Sequence, residues 1–348
     1  MRVRVPSTWS ITLLLKSGMM HLFSSLSLAA SALAAVAVQE PTHDQVPLGP
    51  STLFQIPTLG FGTWNLKENA TEAVSYAIST GYRHIDAAAI YGNEKAVGKG
   101  ITEGLEKAGL TRDDLWVTSK LWNDHHAPGK VEAAIDKTLS DLNLEYLDLY
   151  HMHWPVASTK KGNEISFLDT WKAMVQLVQS GKTRRIGVSN FSPNQLDTLL
   201  NHTTHVPFAH QMELHPYLPQ NDWIQYHKVR NIRVTAYSPL GGTNPTYHQK
   251  SKHMPTPLLE TEVLIKIANK HNATAAQISL AWGMSRGTSV IPKSAHAARM
   301  DENLASKHVE LDADDLETID QLGRDFTFRY NDPSKSWRVK LYEGLEGV

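Results

Sequence analysis

Cysteine is absent from the 348 residues, which excludes a disulfide framework, a thiolate zinc site, an iron–sulfur cluster and a cysteine nucleophile. An excess of either charge is absent too, with 34 Lys and Arg against 35 Asp and Glu and a net charge of −1. There is no long basic run, so a nucleic-acid partner, which would be held by phosphate neutralisation, is not expected. Charged residues at 20% and hydrophobic ones at 41% describe a globular chain, neither disordered nor many times membrane-spanning. The length suits one large domain or two small ones.

The first 38 residues stand apart. Leu22 to Val38 carries no charge, Arg2, Arg4 and Lys16 precede it, and Ala35-Val36-Ala37 offers a small-x-small cleavage pattern. Residues 1–38 therefore read as a signal-like or anchor segment, or as a misleading leader. Residues 39–50, with three prolines, read as a linker. The folded domain is expected over residues 51–348, with membrane association only if the leader stays as an anchor.

From residue 51 onward, short apolar runs alternate with segments of helical period. Strands are expected at 59–62, 84–86, 115–119, 146–151, 183–188, 209–213, 232–237 and 289–291. Helices are expected at 69–79, 94–107, 128–142, 167–179, 193–200, 220–229, 258–270, 275–285, 299–305 and 313–322. Eight strands alternating with helices in a chain of this size predict an α/β protein, a closed (β/α)8 TIM barrel. An open doubly wound sheet would want G-x-G-x-x-G after its first strand, and Gly60-Phe61-Gly62-Thr63-Trp64 does not supply it.

Barrel enzymes carry their chemistry at the C-terminal strand ends. Those ends hold Asp86, Tyr91, Lys120, His153, Ser189, Asn190, Gln211, Tyr237, Lys293 and Ser294. Singly, each has a bland reading as a cap, a surface charge or a packed ring. His151 and His153 could begin a metal site, but the later strand ends supply Ser, Asn, Gln, Tyr and Lys, so no metal is expected.

In order and at matching spacing, Gly81-Tyr82-Arg83-His84-Ile85-Asp86-Ala87-Ala88 with Tyr91 and Glu94, Val117-Thr118-Ser119-Lys120-Leu121-Trp122, His153-Trp154-Pro155 and Gly187-Val188-Ser189-Asn190-Phe191 resemble the aldo-keto reductases. So do Gln211-x-Glu213-x-His215-Pro216-Tyr217, Tyr237-Ser238-Pro239-Leu240-Gly241 and Ile291-Pro292-Lys293-Ser294 with Arg299, Glu302 and Asn303. The likeness spans about residues 53–322. Position 87, where that family more often has Thr, carries Ala. The tail Arg329-Tyr330-Asn331-Asp332-Pro333 is similar to fungal glycerol-dehydrogenase-like members.

The resemblance implies a catalytic tetrad of Asp86, Tyr91, Lys120 and His153 and an NADP(H) cofactor. Tyr91 would protonate the carbonyl oxygen as general acid, with Lys120 expected to lower its pKa from about 10. Asp86 would fix Lys120, and His153 would orient the substrate oxygen. On the cofactor side, Thr63 and Trp64 would border the site. Ser189, Asn190 and Gln211 would hold the nicotinamide amide, and Tyr237 would stack on the ring. Ser238, Leu240 and Gly241 would line the pyrophosphate path. Lys293, Ser294 and Arg299 would take a 2′-phosphate, and Glu302 and Asn303 the adenine.

Trp64, Trp122, His153 and Trp154 would wall a pocket for a small carbonyl or alcohol substrate, including glyceraldehyde, dihydroxyacetone and short sugars. A monomer is expected. The rival readings are a non-catalytic NADP-binding regulatory barrel and a metal-dependent barrel hydrolase. Location conflicts with the leader. A secreted enzyme would lack NADPH, and one of four glycosylation sequons, at Asn190, falls on the cofactor side, so a cytoplasmic enzyme is favoured.

Overall fold

The structure, a computed structural model, describes residues 55–157, 165–243 and 254–345. The expected leader, linker and first residues of the domain lie outside the described residues. Eight strands form one parallel sheet in sequence order: β1 (Phe61–Gly62), β2 (His84–Asp86), β3 (Trp116–Leu121), β4 (Leu149–Met152), β5 (Ile186–Ser189), β6 (Ala209–Glu213), β7 (Arg233–Tyr237) and β8 (Ser289–Val290). The last strand meets the first. Leu59 and Val290 form a parallel bridge, Gly60 N donates to Val290 O at 2.8 Å, and Val290 N donates to Thr58 O at 2.8 Å. The barrel expectation is borne out.

Helices cover the sheet: α1 (Ala70–Thr80), α2 (Glu94–Ala108), α3 (Pro128–Leu142), α4 (Phe167–Gln179), α5 (Pro193–Asn201), α6 (Asn221–Lys228), α7 (Glu262–Lys270), α8 (Ala275–Ser285), α9 (Ala297–Ala305), α10 (Ala313–Asp325) and α11 (Ser334–Trp337). Their starts are written locally. Pro128 opens α3, and Ser192, Thr274 and Asp312 form capping boxes with Gln195, Gln277 and Asp315, satisfying first-turn N–H groups. α1 and α2 approach closely because α2 carries glycines at the contact. A Cβ on Gly100 would lie 2.6 Å from Thr71 O.

Several strand ends depart from expectation, with β1 and β5 beginning at Phe61 and Ile186 rather than at 59 and 183. β4 begins at Leu149 rather than at 146. The Asp148 carboxylate intrudes there, accepting from Val117 N at 2.9 Å and pairing with Arg112 at 2.7 Å. β3 runs two residues past its expected end, through Leu121, and so includes Lys120. The four-residue α11 lies in a tail without periodicity and was not expected.

The N-terminal end of the barrel is filled by Trp116 and Phe208, stacked at 6.0 Å, with Arg185 at 5.1 and 4.8 Å from the two rings. That plug leaves the opposite rim as the end with room for a ligand.

Candidate active site

Asp86 is the last residue of β2, Lys120 lies in β3, and His153 follows β4 directly. Tyr91 closes a one-turn 3₁₀ helix, Ala89–Tyr91, beyond β2. Parallel pairing puts Asp86 beside Thr118, two residues before Lys120. Lys120 Nζ donates to Asp86 Oδ1 at 2.5 Å and to Ala87 O at 2.9 Å. Gln211 Nε2 donates to the other carboxylate oxygen at 2.7 Å. All three side chains are buried, at 2% exposure or less. A buried charge needs such partners, since an unpaired one would be costly to dehydrate.

Lys120 Nζ lies 5.3 Å from the centre of the Tyr91 ring. The Tyr91 ring is 6.3 Å from Trp64 and 6.0 Å from His153, and His153 is 5.1 Å from Trp122. Burial pushes the Tyr91 phenol well above its ordinary value, and the Asp86 charge adds to this. The expected lowering by Lys120 is not met in this arrangement. Asp86, in direct contact with the ammonium, offsets its field at the phenol, and desolvation dominates. Tyr91 is therefore a protonated phenol, a proton donor at neutral pH. Burial and then the Lys120 charge hold His153 well below the ordinary imidazole value, so its ring is neutral and can offer one N–H.

A cavity of about 730 Å³ opens above these groups. It is lined by Asp86, Tyr91 and His153 of the tetrad, by Trp64, Trp122 and Trp154, and by every residue expected on the cofactor side, Thr63 to Asn303. Lys120 is not among its lining residues and lies beneath it, paired with Asp86. His151 lies one layer deeper, against Gly187, where a Cβ would come within 2.7 Å of the imidazole. Among the described residues no three His, Asp or Glu gather as metal ligands.

Several residues expected to meet the cofactor also have partners within the protein. Gln211 is tied to Asp86 rather than standing apart from the tetrad. Thr63 Oγ1 donates to Asp86 O at 2.8 Å. Glu302, expected at the adenine, accepts from Thr274 Oγ1 at 2.5 Å while still lining the cavity. Asn190 donates to His153 O and to Ser189 Oγ, each at 3.0 Å, and accepts from the Tyr237 hydroxyl at 2.8 Å. Asn190 and Ser238 hold φ of 61° and 50°, the left-handed region that non-glycine residues seldom occupy. Asn190 is also buried, so its sequon is shielded in the folded chain.

At the far end, Lys293 is half-buried and its ammonium is pushed down by dehydration. Arg299 stands in the first turn of α9, which has no side-chain cap. Two cations beside uncapped N–H groups fit a phosphate group. Sequence reasoning picked out Asn331 only within the tail motif and gave no role to it or to Trp337; both line the cavity. Trp337 packs on Trp154 at 4.9 Å and on Trp122 at 6.0 Å. Trp337 is one of five aromatic residues in the tail, with Phe326, Phe328, Tyr330 and Tyr342, and nothing in its sequence neighbourhood sets it apart from them.

Comparison with known proteins agrees over most of the chain. Residues 58–324 match the aldo/keto reductase family. An uncharacterized oxidoreductase of Schizosaccharomyces pombe is 44% identical over 308 residues, covering 84% of this chain and 92% of the relative. Aldo-keto reductase family 1 member A1 of Bos taurus is 39% identical over 289 residues, covering 79% and 88%. The structure of an aldose reductase from Giardia lamblia superposes with a TM-score of 0.76 at 36% identity, covering 82% of this chain and 98% of that one.

Proposed function

This chain belongs to the aldo/keto reductase family, and we propose that it is an NADPH-dependent reductase of small aldehydes and ketones. The observation that carries the reading is the buried Lys120–Asp86 pair at 2.5 Å beneath Tyr91 and His153, at the floor of a cavity walled by indoles. NADPH, when bound, supplies the hydride that the carbonyl carbon accepts. Lys293, Ser294 and Arg299 would hold its phosphates, while Ser189, Asn190 and Tyr237 would hold the nicotinamide.

The chain's own groups do the rest. The Tyr91 phenol donates its proton to the carbonyl oxygen as that oxygen gains negative charge. Neutral His153 donates a hydrogen bond to the same oxygen and so aims the carbonyl. The Lys120–Asp86 pair is a fixed, buried support beneath the phenol ring, with the ammonium 5.3 Å from the ring centre. Trp64, Trp122, Trp154 and Trp337 exclude water from the reacting atoms. A small carbonyl substrate suits this aromatic, one-ended pocket, and a cytoplasmic setting suits steady use of NADPH.

The test is loss of NADPH absorbance when the purified full chain meets a panel of aldehydes, ketones and short sugars. Turnover with at least one of them, faster with NADPH than with NADH, is expected. No turnover on any, despite measurable NADPH binding, would overturn the reading in favour of a regulatory barrel.

A further inference from the structure

One buried carboxylate is prominent among the contacts that fasten the tail after α10 to the barrel. Glu213 ends β6 with no exposed surface. Its Oε1 accepts from Tyr330 N at 2.7 Å and from His215 Nε2 at 2.9 Å, and its Oε2 accepts from Asn331 N at 2.8 Å. Burial opposes the charge, but His215, Arg329 and the Tyr330 N–H more than offset it, so the carboxyl is held below its ordinary value. On the other side of the tail, the Tyr342 hydroxyl donates to Asn331 O at 2.9 Å. Asn331 is thus gripped by its own backbone from two directions.

That grip leaves its side chain one task. Asn331 Nδ2 donates to the Tyr237 hydroxyl at 3.2 Å, and that hydroxyl donates to Asn190 Oδ1 at 2.8 Å. The chain of bonds then continues through Asn190 to the His153 carbonyl at 3.0 Å. Six residues beyond Asn331, Trp337 forms part of the indole wall. The tail held at Asn331 therefore carries both a residue of the substrate wall and a hydrogen bond to the ring next to the nicotinamide site. Asn331 also lies beyond the segment that matches the family, residues 58–324.

We propose that Asn331 is a positioning residue that acts through Tyr237. The tail holds the Tyr237 ring in register with Asn190 and so couples the substrate wall to the cofactor platform. The inference rests on the NADPH-dependent reading above.

A double-mutant cycle on the full chain tests it, using Asn331→Ala, Tyr237→Phe and both together. NADPH affinity is read by quenching of tryptophan fluorescence, and chemistry by single-turnover reduction of a small aromatic aldehyde. Asn331→Ala should weaken NADPH binding and slow reduction by roughly three- to tenfold, the scale of one hydrogen bond. In the Tyr237→Phe background the same change should alter either by less than about twofold, because the acceptor is already gone. Trp337→Ala should raise the aldehyde KM and leave NADPH affinity unchanged. An equal loss from Asn331→Ala in both backgrounds, or no loss, overturns the proposal. Failure of the unmodified chain to bind NADPH is a separate result, and it would overturn the reductase reading together with this one.

Discussion

Replacing Tyr91 by Phe removes one oxygen and separates catalysis from folding. Among the described residues the Tyr91 hydroxyl has no hydrogen-bond partner in the protein, whereas its ring touches Trp64, His153 and the Lys120 ammonium. Phenylalanine keeps every ring contact, so the stability of the variant should stay within about 0.5 kcal/mol of the parent. The groups expected to bind NADPH are untouched, and its affinity should hold. Turnover is another matter. A positioned general acid contributes roughly 10²–10⁴ in rate, or about 2.7–5.5 kcal/mol of barrier. Urea unfolding, fluorescence titration with NADPH and single-turnover reduction measure the three quantities separately. Reduction within about threefold of the parent, well short of that range, would refute the assignment. So would a loss of turnover that merely tracks a loss of NADPH affinity.

Other changes address other parts of the account. Lys293→Ala with Arg299→Ala should weaken NADPH by at least about tenfold and leave NADH much less affected, since charge-assisted bonds to a phosphate are lost; equal weakening of both, by fluorescence titration, would remove the 2′-phosphate role. Glu94 is buried between the Ser119 and Thr138 hydroxyls at 2.6 and 3.1 Å, and burial raises its carboxyl pKa. A raised carboxyl gives stability that is full below the unfolded pKa of about 4.3 and is lost as pH rises through the folded value. Glu94→Gln should abolish that slope, gaining on the parent by about 1.4 kcal/mol for each pH unit separating the two ionisations. Parallel stability curves for parent and variant across pH 4–8 would contradict it.

How far the sequence could be read depended on how local each cause was. The barrel followed from strand–helix alternation, and the rim residues from their positions after apolar runs, because both signals lie within a few residues. The start of β4 did not, since it is set by the contact of Asp148 with Val117 and Arg112, 31 and 36 residues away. The acidity of Tyr91 was misjudged for a similar reason. The sequence offers a lysine for the phenol but does not show Asp86 in contact with that lysine, nor the dehydration that pushes the phenol pKa up. The role of Glu213 was the least legible, because its partners are backbone N–H groups 117 and 118 residues further on, which leave no mark in side-chain pattern.

The proton carried by Tyr91 is the centre of the account, and its movement can be measured. Single-turnover reduction in light and heavy water, for the unmodified chain and for Tyr91→Phe, reports whether that proton is in flight as the carbonyl is reduced. The account predicts slower reduction in heavy water for the unmodified chain and loss of that difference in the variant. The same solvent effect in both proteins would mean that another donor delivers the proton, and would contradict it.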